Sequence, residues 1–272
     1  MNTQIKALYI DTIKKELRNK TLIFALIFST ISILVAYTLL KLLLQFGVTS
    51  GTEQNALTAT TAISVMFKYL NIWGVIISVF FGVGAVRSDF HNNIIYQYLT
   101  LPISRTTYFL TRIVGTWSMV FSFYLYSYIF TYILFFTLFK DAKLTMGQVG
   151  NIFMMGIYTF VYVAITFVIS MFLNRLGSFI TMMFVAFLIS LSNSIYGQLA
   201  FSEYFKDFSV FKFISLIIYI FLPHLGNISE IGSSFLVGEK TNYNIPIEIV
   251  HFLFSTSLVL FVANKIIKKK DF

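Results

Sequence analysis

The chain reads as an all-α membrane protein with six transmembrane helices, and three observations carry that reading: its composition, the length of its apolar runs and the placement of its charge. Of 272 residues, 57% are hydrophobic and 11% are charged, against a charged share of about 25% in soluble domains. Water is not the main solvent of such a chain. A transmembrane helix needs about 20 mostly apolar residues to cross a hydrocarbon core of about 30 Å. Runs of that length occur at about 22–44, 63–86, 113–139, 151–173, 177–199 and 247–267. The first is too long for a signal-peptide core and no small-residue cleavage site follows it, so it is expected to be a retained span. The chain is expected to form a single transmembrane domain over 1–272.

Six crossings place both termini on one side, and the loops then fall into two sets. One set holds 13 cations, from Lys6, Lys14, Lys15, Arg18 and Lys20 through Arg87, Arg105, Arg112 and Arg175 to the C-terminal lysines, against 4 acids. The other holds 7 lysines against 7 acids. All of the net charge of +9 therefore lies on one face, which the positive-inside rule makes the cytoplasmic one. Bases in that place meet anionic lipid headgroups and set topology, so a basic pI carries no call for nucleic acid.

Residues 4–20 have the pattern of an amphipathic interfacial helix, with Tyr9, Ile10, Ile13 and Leu17 on one stripe and Asp11, Lys14, Lys15 and Arg18 opposite. Between the fifth and sixth spans, the external loop 200–246 contains 209–223, apolar but short for a crossing and stopped by Pro223. This suits a re-entrant or interfacial segment. A seventh crossing would put the C-terminal lysines outside, against the charge rule.

The loop from 87 to 112, RSDFHNNIIYQYLTLPISRTTYFLTR, is itself patterned. Asp89 or Asn92 can cap a short helix that Pro102 ends, and Ser104 is placed to cap the helix leading into the third span. Ile94, Ile95, Tyr98 and Leu99, beside Arg105, then present an apolar face either to a groove on a partner protein or to lipid.

These residues carry a family resemblance. Asp89, followed 13 positions later by Pro102 within IIYQYLTLPISR (Ile94 to Arg105), resembles the first cytoplasmic loop of the permease subunits of type-2 ABC exporters. The likeness extends to the amphipathic N-terminus, the six spans, the proline-bearing FLPHLGNISEI (Phe221 to Ile231) and the basic C-terminal KKKDF. One departure is Asn93 and Ile94 where the family often carries Gly-Thr. The resemblance implies a bacterial inner-membrane permease with cytoplasmic termini, in which 89–105 is a coupling helix docking on a separate ATPase. Asp89, Ile94, Ile95, Tyr98, Leu99, Pro102, Ser104 and Arg105 would serve that contact. It further implies a second permease subunit and two copies of the ATPase, with ATP and Mg held there and no cofactor on this chain.

The remaining motifs are sparse. No Walker sequence or nucleophile elbow occurs, and no carboxylate pair lies inside a span, so neither an ATPase nor a membrane-embedded enzyme has a motif to stand on. A chain of this topology can also serve as a non-transporting anchor or immunity protein. The polar candidates within the bilayer are Lys68, Asn71, Asn264 and the cluster Ser190, Ser192, Asn193 and Ser194. The cluster either lines a translocation path or joins helices at about 1 kcal/mol or less per bond.

Overall fold

The computed structural model describes residues 3–18, 20–49, 59–91, 103–138, 146–197, 199, 204, 209–237 and 243–269. These residues form helices only: α1 (Thr3–Arg18), α2 (Thr21–Thr49), α3 (Ala59–His91), α4 (Arg105–Leu138), α5 (Met146–Ser170), α6 (Arg175–Tyr196), α7 (Val210–Phe221), α8 (Leu225–Val237) and α9 (Ile245–Lys269). Six of them, α2 to α6 and α9, are long and apolar enough to cross a membrane, and α7 and α8 form a pair bent by 61°. The chain is an all-α, multi-pass membrane protein. Helical and closed-barrel backbones alone satisfy their polar groups in lipid, and the helical runs here do so within each segment.

The spans are not equivalent. In α5, 67% of the apolar window is buried, against 17% in α2, so α5 is the post of the bundle and α2 a peripheral stave. Small residues let neighbours approach α5 closely, as the weak hydrophobic drive between helices in lipid requires. A Cβ on Gly147 would fall 1.9 Å from the Phe235 carbonyl oxygen in α8, and one on Gly156 would fall 2.9 Å from the Phe121 ring in α4. Inside the bundle, Tyr124 Oη donates to Asn71 Oδ1 at 2.7 Å, Asn71 Nδ2 donates to Asn151 Oδ1 at 3.2 Å and Asn151 Nδ2 returns to Tyr124 Oη at 3.3 Å. This closed ring ties α3, α4 and α5 and leaves none of the three side chains without a partner, as a buried polar group demands.

Local chemistry sets the helix ends. Ser104 accepts from the Thr107 N–H at 3.1 Å at the start of α4, Asn174 from Gly177 at 2.7 Å at the start of α6, and Ser209 from Lys212 at 3.2 Å at the start of α7. Lys20, at φ 56°, turns the chain between α1 and α2. Leu222 is extended at φ −96° and ψ 152°, as the residue before a proline prefers, and Pro223 then starts the second limb of the pair.

That second limb extends the element expected at 209–223. The bend continues into α8, which buries Leu225, Ile228 and Ile231 and packs on α5 through Gly232, whose added Cβ would meet Asn151 Oδ1 at 3.2 Å. The turn is braced by a stack in which His224 lies 3.9 Å from the Tyr219 ring and 3.7 Å from the His251 ring. His224 Nδ1 sits 2.8 Å from Glu248 Oε2, and its Nε2 sits 2.7 Å from the Tyr219 carbonyl.

Candidate functional site

One end of the bundle, its basic end, gathers α1, the last turn of α3 and the first turns of α4 and α6. Its centre is a buried ionic cluster. Asp89, in the final turns of α3, is 0% exposed and Arg112, in the second turn of α4, is 1% exposed. A carboxylate and a guanidinium removed from water to this degree need each other and further hydrogen bonds to offset desolvation, and the structure supplies both. Arg112 Nε lies 3.0 Å from Asp89 Oδ2, its second terminal nitrogen lies 3.2 Å from Asp11 Oδ2, and the first donates to Thr12 Oγ1 at 2.8 Å. Lys15 and the Tyr108 hydroxyl both bond Asp89.

Three helices are therefore pinned at one point, with α1 supplying Asp11, Thr12 and Lys15, α3 Asp89, and α4 Tyr108 and Arg112. The side of α1 turned inward is Leu8, Thr12 and Glu16, all buried, while Ile10 and Leu17 of the expected apolar stripe are exposed and Tyr9 and Ile13 line a groove against α2 and α4. The inward line is only partly apolar because it meets charge across the interface. Gly115 faces Thr12 so closely that an added Cβ would stand 3.1 Å from the threonine Cβ. Burial pushes the Glu16 carboxyl above its usual range, against the pull of Lys15 and Arg175.

Asp89 does not cap a following helix, as the loop pattern suggests it can. The helix runs on through it to His91, because two cations and a phenol on other helices compete for its carboxylate more strongly than a free backbone N–H would. Ser104 caps α4. Arg105 reaches the C-terminal turn of α9, donating to the Lys268 carbonyl at 3.2 Å, where a cation meets the negative end of the helix dipole. Beside it, Thr106 donates to Asn264 at 2.7 Å. Ile94, Ile95, Tyr98, Leu99 and Pro102 lie outside the described residues, and so does the short helix expected there.

No protein-family model matches the chain, and no curated protein matches it.

The four polar residues of α6 separate. Ser190 lines a pocket shared with α3, α5 and α8. Ser192 is buried and donates to the Ser215 carbonyl of α7 at 2.6 Å, Asn193 packs against Gly226, whose added Cβ would stand 2.8 Å from its amide nitrogen, and Ser194 bonds back to the Ser190 carbonyl at 2.9 Å. Ser192 and Asn193 thus join α6 to the bent pair. The residues that sequence reasoning passes over are Thr12, Lys15, Glu16, Tyr108 and Arg112. The signal for them was the basic and acidic residues within about two turns of each span end, on the charge-rich face, which a count of loop charges treats as topology only.

Proposed function

We propose that this chain is a permease subunit of an ATP-driven exporter, set in a bacterial inner membrane with the basic end in the cytoplasm, and that a separate ATPase supplies the energy. The observation that carries the reading is the Asp89 to Arg112 cluster. The loop that resembles a coupling helix joins the end of α3 to the start of α4, and those two ends are locked to each other and to α1 by buried charge. A push on the loop is then delivered to two spans and the amphipathic helix together, as a rigid-body shift of the kind that packed interfaces transmit. A loosely hinged loop would absorb the same push locally.

In this reading Ile94, Ile95, Tyr98 and Leu99 present the contact face, Pro102, Ser104 and Arg105 set its exit into α4, and Asp89 acts as a positioning residue. Ser190 borders the transport route. The assembly is two permease subunits, alike or different, with two ATPases that hold the ATP and Mg, and the chain itself carries no cofactor.

The test is copurification of the tagged chain from native membranes in mild detergent, with partners identified by mass spectrometry. A polypeptide bearing Walker motifs is expected with the wild type and is lost in Ile94→Glu/Leu99→Glu, while both chains insert and elute alike. A wild-type chain that retains no ATPase contradicts the reading and favours a non-transporting anchor.

A further inference from the structure

A pocket of about 520 Å³ opens between α3, α5, α6 and α8, away from the basic end. Its size falls in the range of small-molecule sites, about 300–1,000 Å³. The lining has two characters. Ile72, Val75 and Met183 are its apolar lining, whereas Lys68 of α3 and Glu230 of α8 add opposite charges to the same pocket, together with the hydroxyls of Ser190 and Ser229. The floor is polar and buried, made by Asn71, Tyr158 and Tyr162.

The two charges do not neutralise each other. Lys68 makes no hydrogen bond or ion pair with any described residue, although it stands within the apolar stretch Ser64–Ala85. An ammonium inside a span is costly unless an anion meets it or it bends to the interface. Glu230 is held by the Tyr243 hydroxyl, which donates to Oε2 at 2.9 Å. One carboxylate oxygen is thereby oriented and the other is left to accept a second donor. Ile72 and Met183 are 65% and 40% exposed, so the apolar wall runs out on to the outer surface of two candidate spans, where an acyl chain would meet it.

From a fixed carboxylate and an unmatched ammonium lining one largely apolar pocket, we propose that this pocket binds a zwitterionic amphiphile bearing a phosphate and a primary ammonium, the chemistry of a phosphatidylethanolamine headgroup. The phosphate lies against Lys68, the ammonium donates to Glu230 and Ser229, and an acyl chain follows Ile72, Val75 and Met183. A quaternary ammonium has no N–H to donate to Glu230. An anionic headgroup without a cation leaves Glu230 opposed to negative charge. This site is independent of whether an ATPase drives the chain.

The experiment titrates the purified full-length chain, in a neutral detergent, with phosphatidylethanolamine labelled on its acyl chain. Phosphatidylcholine, phosphatidylglycerol and chain-free phosphoethanolamine serve as competitors. Phosphatidylethanolamine is expected to compete best among the lipids. Lys68→Gln and Glu230→Gln are each expected to weaken it by about tenfold, the loss of one charge-assisted hydrogen bond. Both residues are exposed, so the bundle does not depend on them; Met183→Trp, which fills the slot and touches neither charge, provides a second variant and should also abolish saturable binding. Chain-free phosphoethanolamine is expected to compete poorly; competition as strong as that of the lipid would overturn the amphiphile and leave a site for a soluble zwitterion only. Binding that ignores headgroup, or that survives all three variants, overturns the proposal and marks the lipid as a nonspecific surface layer.

Discussion

Replacing Asp89 by alanine tests the basic-end cluster most severely. The substitution withdraws the anion that Lys15, Arg112 and the Tyr108 hydroxyl share, in a place where Asp89 is 0% and Arg112 1% exposed. Removing one partner of a buried pair costs about 3–5 kcal/mol because the other charge is left uncompensated. Asp11 still stands 3.2 Å from Arg112 and Lys15 retains access to solvent, which places the expected loss near the lower end, about 3 kcal/mol. Asp89→Leu/Arg112→Leu removes both charges and should recover most of that loss, since apolar replacement of a whole buried pair is often neutral. The assay is denaturant unfolding in mixed micelles followed by the fluorescence of the two tryptophans, with protease sensitivity of α1 as a local readout. An Asp89→Ala chain within about 0.5 kcal/mol of wild type, the range of an ordinary surface substitution, would refute the reasoning.

Three further outcomes are expected. Tyr124→Phe opens the ring with Asn71 and Asn151 and should cost about 1 kcal/mol in the same unfolding assay, the scale of interhelical hydrogen bonds in membranes; no change would mean that the amides re-pair between themselves. Gly147→Ala drives a Cβ to 1.9 Å from a backbone oxygen of α8 and should disrupt the α5 to α8 contact, whereas Gly84→Ala, with only Glu16 Oε1 at 3.8 Å, should be tolerated; equal elution profiles and unfolding midpoints for the two variants would contradict this. Burial raises the Glu16 carboxyl above its usual range, so its contribution to α1 docking is full in acid and is lost as pH rises through the raised value. Glu16→Gln should therefore flatten the pH dependence of hydrogen-exchange protection in α1 as pH rises above the ordinary carboxylate range, and an unchanged profile would exclude Glu16 as its source.

The six spans are legible in the sequence because each is an apolar run of sufficient length, and lipid imposes that requirement segment by segment. Their ends are less legible. The run ending near 86 continues as helix to His91, because partners on other helices hold Asp89 and hydropathy registers it only as an interruption, whereas the start of α4 at Arg105 follows the Ser104 cap that the loop pattern offers. The same cause hides the inward face of α1. Thr12 and Glu16 read as solvent residues, since their partners Arg112, Gly115 and Arg175 lie far along the chain. The second limb of the bent pair is obscured by Gly226, Ser229, Gly232 and Ser233, which dilute hydropathy while permitting close packing. Ser190 and Ser192 are two residues apart on one helix, and only the packing of α7 shows that Ser192 is spent on a carbonyl.

The proposed function requires the basic end, with the loop it braces, to face the cytoplasm where an ATPase can reach it. Because the chain contains no cysteine, a single introduced thiol reports one position without background. Lys14→Cys at the basic end and Met146→Cys at the other are both exposed. In intact cells treated with a membrane-impermeant maleimide, Met146→Cys is expected to be labelled at once and Lys14→Cys only after permeabilisation. Labelling of Lys14→Cys from outside, with Met146→Cys protected, would contradict it.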